Sequence, residues 1–157
     1  MASSMEPAAS PGGTRGSLWR RPTARPVAVA LGVLAALAVW GVSELVVGVD
    51  VRQPAFGPGV PQDLTAGPIV IASVVAGLAA WLALAGLERL TRHARAAWVA
   101  LATLVLVVSL GAPLSGRGID GESRLVLALL HLTVGTLLII LLARTSPPAR
   151  SATPRNG

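Results

Sequence analysis

Hydrophobic residues fall in four long runs, roughly 26–49, 66–87, 96–114 and 125–143, with short polar stretches between them. Each run holds about 19 to 24 residues, and ~20 residues at 1.5 Å rise cross a ~30 Å hydrocarbon layer. Within each run the apolar positions recur on every helical face. No polar stripe is left to turn toward water, as a soluble bundle requires. Period-two alternation is absent, which favours helices over the strands of a membrane barrel. A chain of 157 residues is too short to wrap four such helices in a soluble shell. The pattern predicts an all-α fold, an integral membrane four-helix bundle over residues 26–143. It is flanked by tails 1–25 and 144–157, whose Ser, Pro, Gly and Ala content and lack of periodicity predict disorder.

The polar stretches add detail. In "DVRQPAFGPGVPQDLTAGP" (Asp50–Pro68) the prolines and glycines argue against regular structure. Asp63 or Thr65 can cap the second helix, with Pro68 in its first turn. Phe56, the single phenylalanine, either tucks into the mouth of the bundle or sits at the loop tip. In "PLSGRGIDGES" Asp120 or Ser123 can cap the fourth helix. Small residues form stripes at Ala28, Gly32 and Ala36, and at Ala72, Ala76 and Ala80 with Ser73 and Gly77 beside them. Such stripes let helix backbones approach closely, within the bundle or between copies in a homo-oligomer. Trp19 and Trp98, beside arginine-rich stretches, read as interface anchors.

Charge sets an orientation. Arg15, Arg20, Arg21, Arg25, Arg89, Arg92, Arg95, Arg144, Arg150 and Arg155 flank one side of the predicted spans; only Arg52, Arg117 and Arg124 flank the other. This asymmetry places both termini and the middle loop in the cytoplasm, with the plasma membrane as location. The sequence pI near 11.8 does not signal nucleic acid, because the arginines are dispersed over membrane flanks without aromatic interleaving. Their expected partner is the anionic lipid bilayer, at ~1 kcal/mol per arginine near the surface. The first run continues past the small residues Ala36 and Ala38 to Val49, too long for a cleaved signal sequence. No cysteine is present and the second residue is Ala2, so no lipid anchor is expected.

Chemistry is sparse. The absence of cysteine excludes thiol–disulfide relays and thiolate metal sites. Glu44 and His131 interrupt the first and fourth runs. With cytoplasmic termini they lie at similar depth in the outer half of the membrane, about 9–10 Å below the boundary. Gly41 and Gly48 flank Glu44, and Ala128 and Gly135 flank His131, as expected of inward faces. Ser109 can join the same layer. Such a set is either polar glue or a titratable site open to the outside. The other histidine, His93, lies in the middle loop, so no bis-histidine haem pair forms within the membrane. The clustered ligands of a zinc site are missing, and no cofactor is expected. Ser109, His131 and Glu44 are formally available as a Ser–His–acid set, a geometry that spacing does not test.

The stretches "LTAGPIVIASVVAGLAAWLAL", "LERLTRHARAAW", "LVVSLGAPLSG" and "RLVLALLHLTVGTLLI", between Leu64 and about Ile139, resemble an uncharacterised actinobacterial family of small four-helix membrane proteins, a domain of unknown function. The resemblance implies the four-helix architecture and an inner-membrane location, and supplies no catalytic residues. The resulting expectation is a non-enzymatic accessory or interaction protein of the cell envelope, partnered by lipid and by a second copy or another membrane protein. The alternative is a small proton-coupled transporter using Glu44 and His131. "SELVVGV" has a slight likeness to the acidic motif of small multidrug exporters, but those are aromatic-rich, with short loops and weak charge bias.

Overall fold

The structure is a computed structural model that describes residues 23–54, 60–115 and 118–146. Expectations about the two tails, Trp19 and Phe56 fall outside those residues. Four helical stretches are long and apolar enough to cross a membrane: Ala24–Val46, Ala66–Leu90, Ala94–Ser115 and Gly121–Thr145. Their ends lie within about four residues of the predicted runs.

In chain order the elements are α1 (Ala24–Gly41), which runs into a π-helical turn at Val42–Val46, then the strands β1 (Arg52–Gln53) and β2 (Gln62–Asp63), and then α2 (Ala66–Leu90), α3 (Ala94–Ser109), α4 (Gly111–Ser115) and α5 (Gly121–Thr145). The two ends of the described chain and the α2–α3 turn share one end of the bundle, the terminal end. The strands and α4 lie at the other, the loop end. Helix α5 is central: it packs most extensively on α1 and also on α3, while α2 completes the ring between α1 and α3. α3 is the most peripheral span, and Leu104, Val105, Val107 and Val108 all face outward. Exposed leucines and valines on each span are what lipid rather than water requires.

Close packing uses small residues as sockets. Ala28, Gly32 and Ala36 are buried, as predicted for α1. On α2 the packed stripe is Ile69, Ser73, Gly77 and Leu84; Ala72 and Ala76 are exposed, a rotation from the predicted Ala72–Ala76–Ala80 face. A Cβ on Gly77 would lie 2.6 Å from Val29 Cγ1, and one on Gly135 would lie 2.6 Å from Leu106 Cδ1. The α1–α2 and α3–α5 contacts therefore depend on the missing methyls. Trp98 is also corrected: it is 3% exposed and belongs to the core near the terminal end, its indole N–H donating to the Ile139 carbonyl at 3.3 Å. A tryptophan whose one donor finds an acceptor can be buried instead of sitting at the interface.

The third run is not one helix. α3 stops at Ser109 and α4 starts at Gly111. Pro113 cannot donate to the Ser109 carbonyl four residues back and its ring crowds that position. The Ser109 hydroxyl donates to the Leu106 carbonyl at 2.8 Å, a separate bond at the same turn. The buried Pro113 turns α4 onto α5.

The loop end carries regular structure that the prolines and glycines argued against. β1 and β2 form an antiparallel ribbon pairing Arg52 with Asp63 and Gln53 with Gln62. Val51 and Leu64 seat this ribbon in the core with Ile119. Trp40 donates to the Leu64 carbonyl at 3.1 Å, and Arg52 N–H donates to the Ser123 hydroxyl at 2.9 Å. Neither Asp63 nor Thr65 caps α2: Thr65 occupies the cap position without a side-chain bond, and Asp63 pairs with Arg52 at 3.3 Å. Pro68 does lie in the first turn of α2.

Asp120 caps α5 by accepting the Ser123 N–H at 2.6 Å. That bond first, then the Ser123 hydroxyl and the nearby Arg52 charge, lower the Asp120 pKa. A carboxyl depressed in the fold stabilises it above the unfolded pKa near 3.9 and loses that contribution as pH falls through the folded pKa. Acid melting curves of the purified protein should thus steepen below about pH 4. Asp120→Asn should flatten that dependence. Equal acid sensitivity in both proteins would refute the linkage.

Candidate functional site

A cavity of about 570 Å³ lies in the half of the bundle nearer the loop end. Its floor is α5, through Leu127, Leu130, His131 and Val134, and one wall is α2, through Ile69, Ala72, Ser73 and Ala76. Gln53 and Pro54 cover it from the ribbon, and Ala112 and Pro113 close it from α4. α4, which begins just after the break at Leu110, packs on α5 and brings Ala112 and Pro113 to the rim of this space. The exposed Ala72, Ala76 and Ala112 mark a lateral opening between α2 and α4.

Among the described residues three polar side chains reach the cavity: Gln53, Ser73 and His131. His131 Nδ1 lies 2.7 Å from the Leu127 carbonyl. A carbonyl only accepts, so Nδ1 carries the hydrogen and, in the neutral ring, Nε2 is an acceptor. Nε2 has no protein partner among the described residues. Ser73 is 8% exposed and makes no hydrogen bond among the described residues, although a mid-helix serine commonly bonds back to its own helix.

The predicted set Glu44, His131 and Ser109 is not joined: no hydrogen bond or ion pair links any two of them among the described residues. Glu44 lies in the π-helical turn, half-buried, and does not line the cavity. The next residue, Leu45, is 85% exposed. The glycines beside Glu44 do not mark a packed face. A Cβ on Gly41 or Gly48 meets nothing, and Gly48, at φ 76°, ends the helix. Around His131 the prediction was sounder, since Gly135 receives Leu106.

Sequence reasoning missed the best-connected polar group. Arg25 Nη2 donates to both carboxylate oxygens of Glu88, at 2.6 and 2.7 Å, and its Nε donates to the Thr145 hydroxyl at 3.2 Å. Ser146 donates to Glu88 at 2.8 Å. This network ties the start of α1 to the ends of α2 and α5. Arg25 read as a topology charge and Glu88 as a loop residue; an i,i+4 pattern cannot report a pair 63 residues apart.

Among the described residues no group of three or more His, Cys, Asp or Glu side chains is placed to hold a metal ion. Neither a curated protein nor a solved structure matches the chain. A family model does match, over residues 14–148 and so beyond the Leu64–Ile139 stretch noted above. The chain belongs to this family, DUF6069, described as a family of unknown function.

Proposed function

We propose that this protein is a multi-pass plasma-membrane protein with cytoplasmic termini, acting as a non-enzymatic accessory or interaction protein whose work is binding. The observation that carries the reading is how the polar side chains are used. Arg25, Glu88, Thr145 and Ser146 fasten the terminal end, and Arg52, Asp63, Asp120 and Ser123 fasten the loop end. His131 and Ser73 instead look onto an apolar cavity, the arrangement of a recognition site in which few polar groups fix orientation. Transport coupled to Glu44 and His131 gains no support, because Glu44 is off the cavity that His131 lines.

Topology is tested first, and the chain's lack of cysteine makes it a clean background. Cysteines replacing Gly12, His93 and Ser151 should be protected from an impermeant thiol reagent in intact cells. Those replacing Gly59 and Gly118 should be labelled. Labelling of position 93 from outside would reverse the orientation. Binding is tested by extracting the full chain into lipid nanodiscs without detergent and analysing what accompanies it by mass spectrometry. A protein that emerges with neither a stoichiometric lipid nor a partner would refute the accessory role.

A further inference from the structure

We infer that the cavity between α2, α4 and α5 is a binding site for a bilayer amphiphile with a hydroxyl head, held between His131 and Ser73. The inference rests on the binding role proposed above and names its ligand class. A hydroxyl has one hydrogen to donate and lone pairs to accept. His131 Nε2 offers an acceptor, fixed by the Nδ1–H bond to Leu127, and the unpartnered Ser73 hydroxyl offers a donor. The ligand hydroxyl would donate to the imidazole and accept from the serine. Both line the same cavity, Ser73 about 10 Å into α2 and His131 about 15 Å into α5 from the loop-end starts of those helices.

The remaining walls are Leu, Ile, Val, Ala and Pro, apart from Gln53 at the cover. They suit an apolar body, and among the described residues no arginine lines the cavity to meet an anionic head. A buried carboxylate or phosphate without a paired charge is strongly disfavoured. The cavity's 570 Å³ has room for roughly 20 non-hydrogen atoms at ~30 Å³ each. A single chain or a small ring system fills that space. The opening between α2 and α4 faces where lipid would be, so the ligand arrives from the bilayer and not from water. A hydroxyl placed between them would satisfy both groups at once.

The probes are 1-dodecanol, dodecyl methyl ether and dodecanoic acid, added to the full chain in phosphatidylcholine nanodiscs with nitrogen-15-labelled histidine. His93, exposed in the α2–α3 turn, is an internal control for nonspecific partitioning. Dodecanol should shift the His131 ring signals saturably and leave those of His93 unchanged. The ether has no hydrogen to donate and should need about tenfold higher concentration, as expected for one lost hydrogen bond. Ser73→Ala should weaken dodecanol about tenfold or less without abolishing the shift. This comparison of ligands on the unaltered protein does not depend on any variant folding. Equal occupancy by alcohol and ether, or tighter binding of the acid, would overturn the hydroxyl assignment and leave the binding role intact. No saturable His131 shift with any of the three would overturn the inference, and nanodisc extraction with nothing bound would overturn the binding role as well.

Discussion

Glu88→Ala should lower the stability of the purified bundle by about 3–5 kcal/mol, measured by unfolding in a mixed-detergent titration. The side chains of Arg25 and Glu88 are only 20% and 23% exposed, so removing the acid strands a guanidinium among packed helix ends. The Ser146 hydroxyl loses its acceptor in the same step. Much of the cost is thus the penalty on what remains, and the double variant distinguishes the two contributions. Replacing both partners with methionine should cost less than Glu88→Ala alone, since no unpaired charge is left behind. Glu88→Gln, which keeps one acceptor, should fall between. A loss under about 0.5 kcal/mol for Glu88→Ala would show the pair to behave like an exposed surface bridge.

The second large effect is steric. Gly77→Ala should destabilise the bundle by about 1–3 kcal/mol through overpacking. All three nearest atoms are Val29 side-chain carbons, at 2.6, 3.0 and 3.2 Å from the added Cβ, and a β-branched valine in a helix has little rotamer freedom to yield. Val29→Ala in the same chain should restore most of the loss, which a general weakening of α2 would not allow. Gly135→Ala should cost less. Its Cβ also meets a side chain at 2.6 Å, but that atom is the end of Leu106, which can rotate. Gly41→Ala, where a Cβ meets nothing, is the control and should be neutral or slightly stabilising, because alanine favours helix over glycine. Equal losses at Gly77 and Gly41 would remove the socket interpretation.

The spans were legible because a membrane imposes length and apolarity on every helix at once, and the sequence carries both signals without interruption. The α1 stripe was legible because Ala28, Gly32 and Ala36 follow one another at a spacing of four, with Ala24 and Ala35 on the same face. On α2 small residues occupy positions 72, 73, 76, 77, 79, 80 and 83, covering most of the circumference. Size alone could not choose the packed face there. Pro113 was visible, but the apolar run continued through Leu114 and hid the break. The cavity depends on that break and on two strands of two residues each, too short for any periodic signal. His131 was found because an ionisable residue in an apolar run stands out. Ser73 was noted only as a small residue, since a serine among alanines does not announce an unpartnered hydroxyl.

The fastening of α1 to α5 also bears on how the chain is made. The first of the four spans has the fourth as its main partner, and its Arg25 finds an acceptor on Thr145, 120 residues further on. Until α5 is made, α1 has α2 as its neighbour, and the face carrying Ala28, Gly32 and Ala36 lacks its main partner while Arg25 has Glu88 but not Thr145. Completion of the bundle therefore waits for α5, and any chain halted before it leaves the small-residue seam of α1 open.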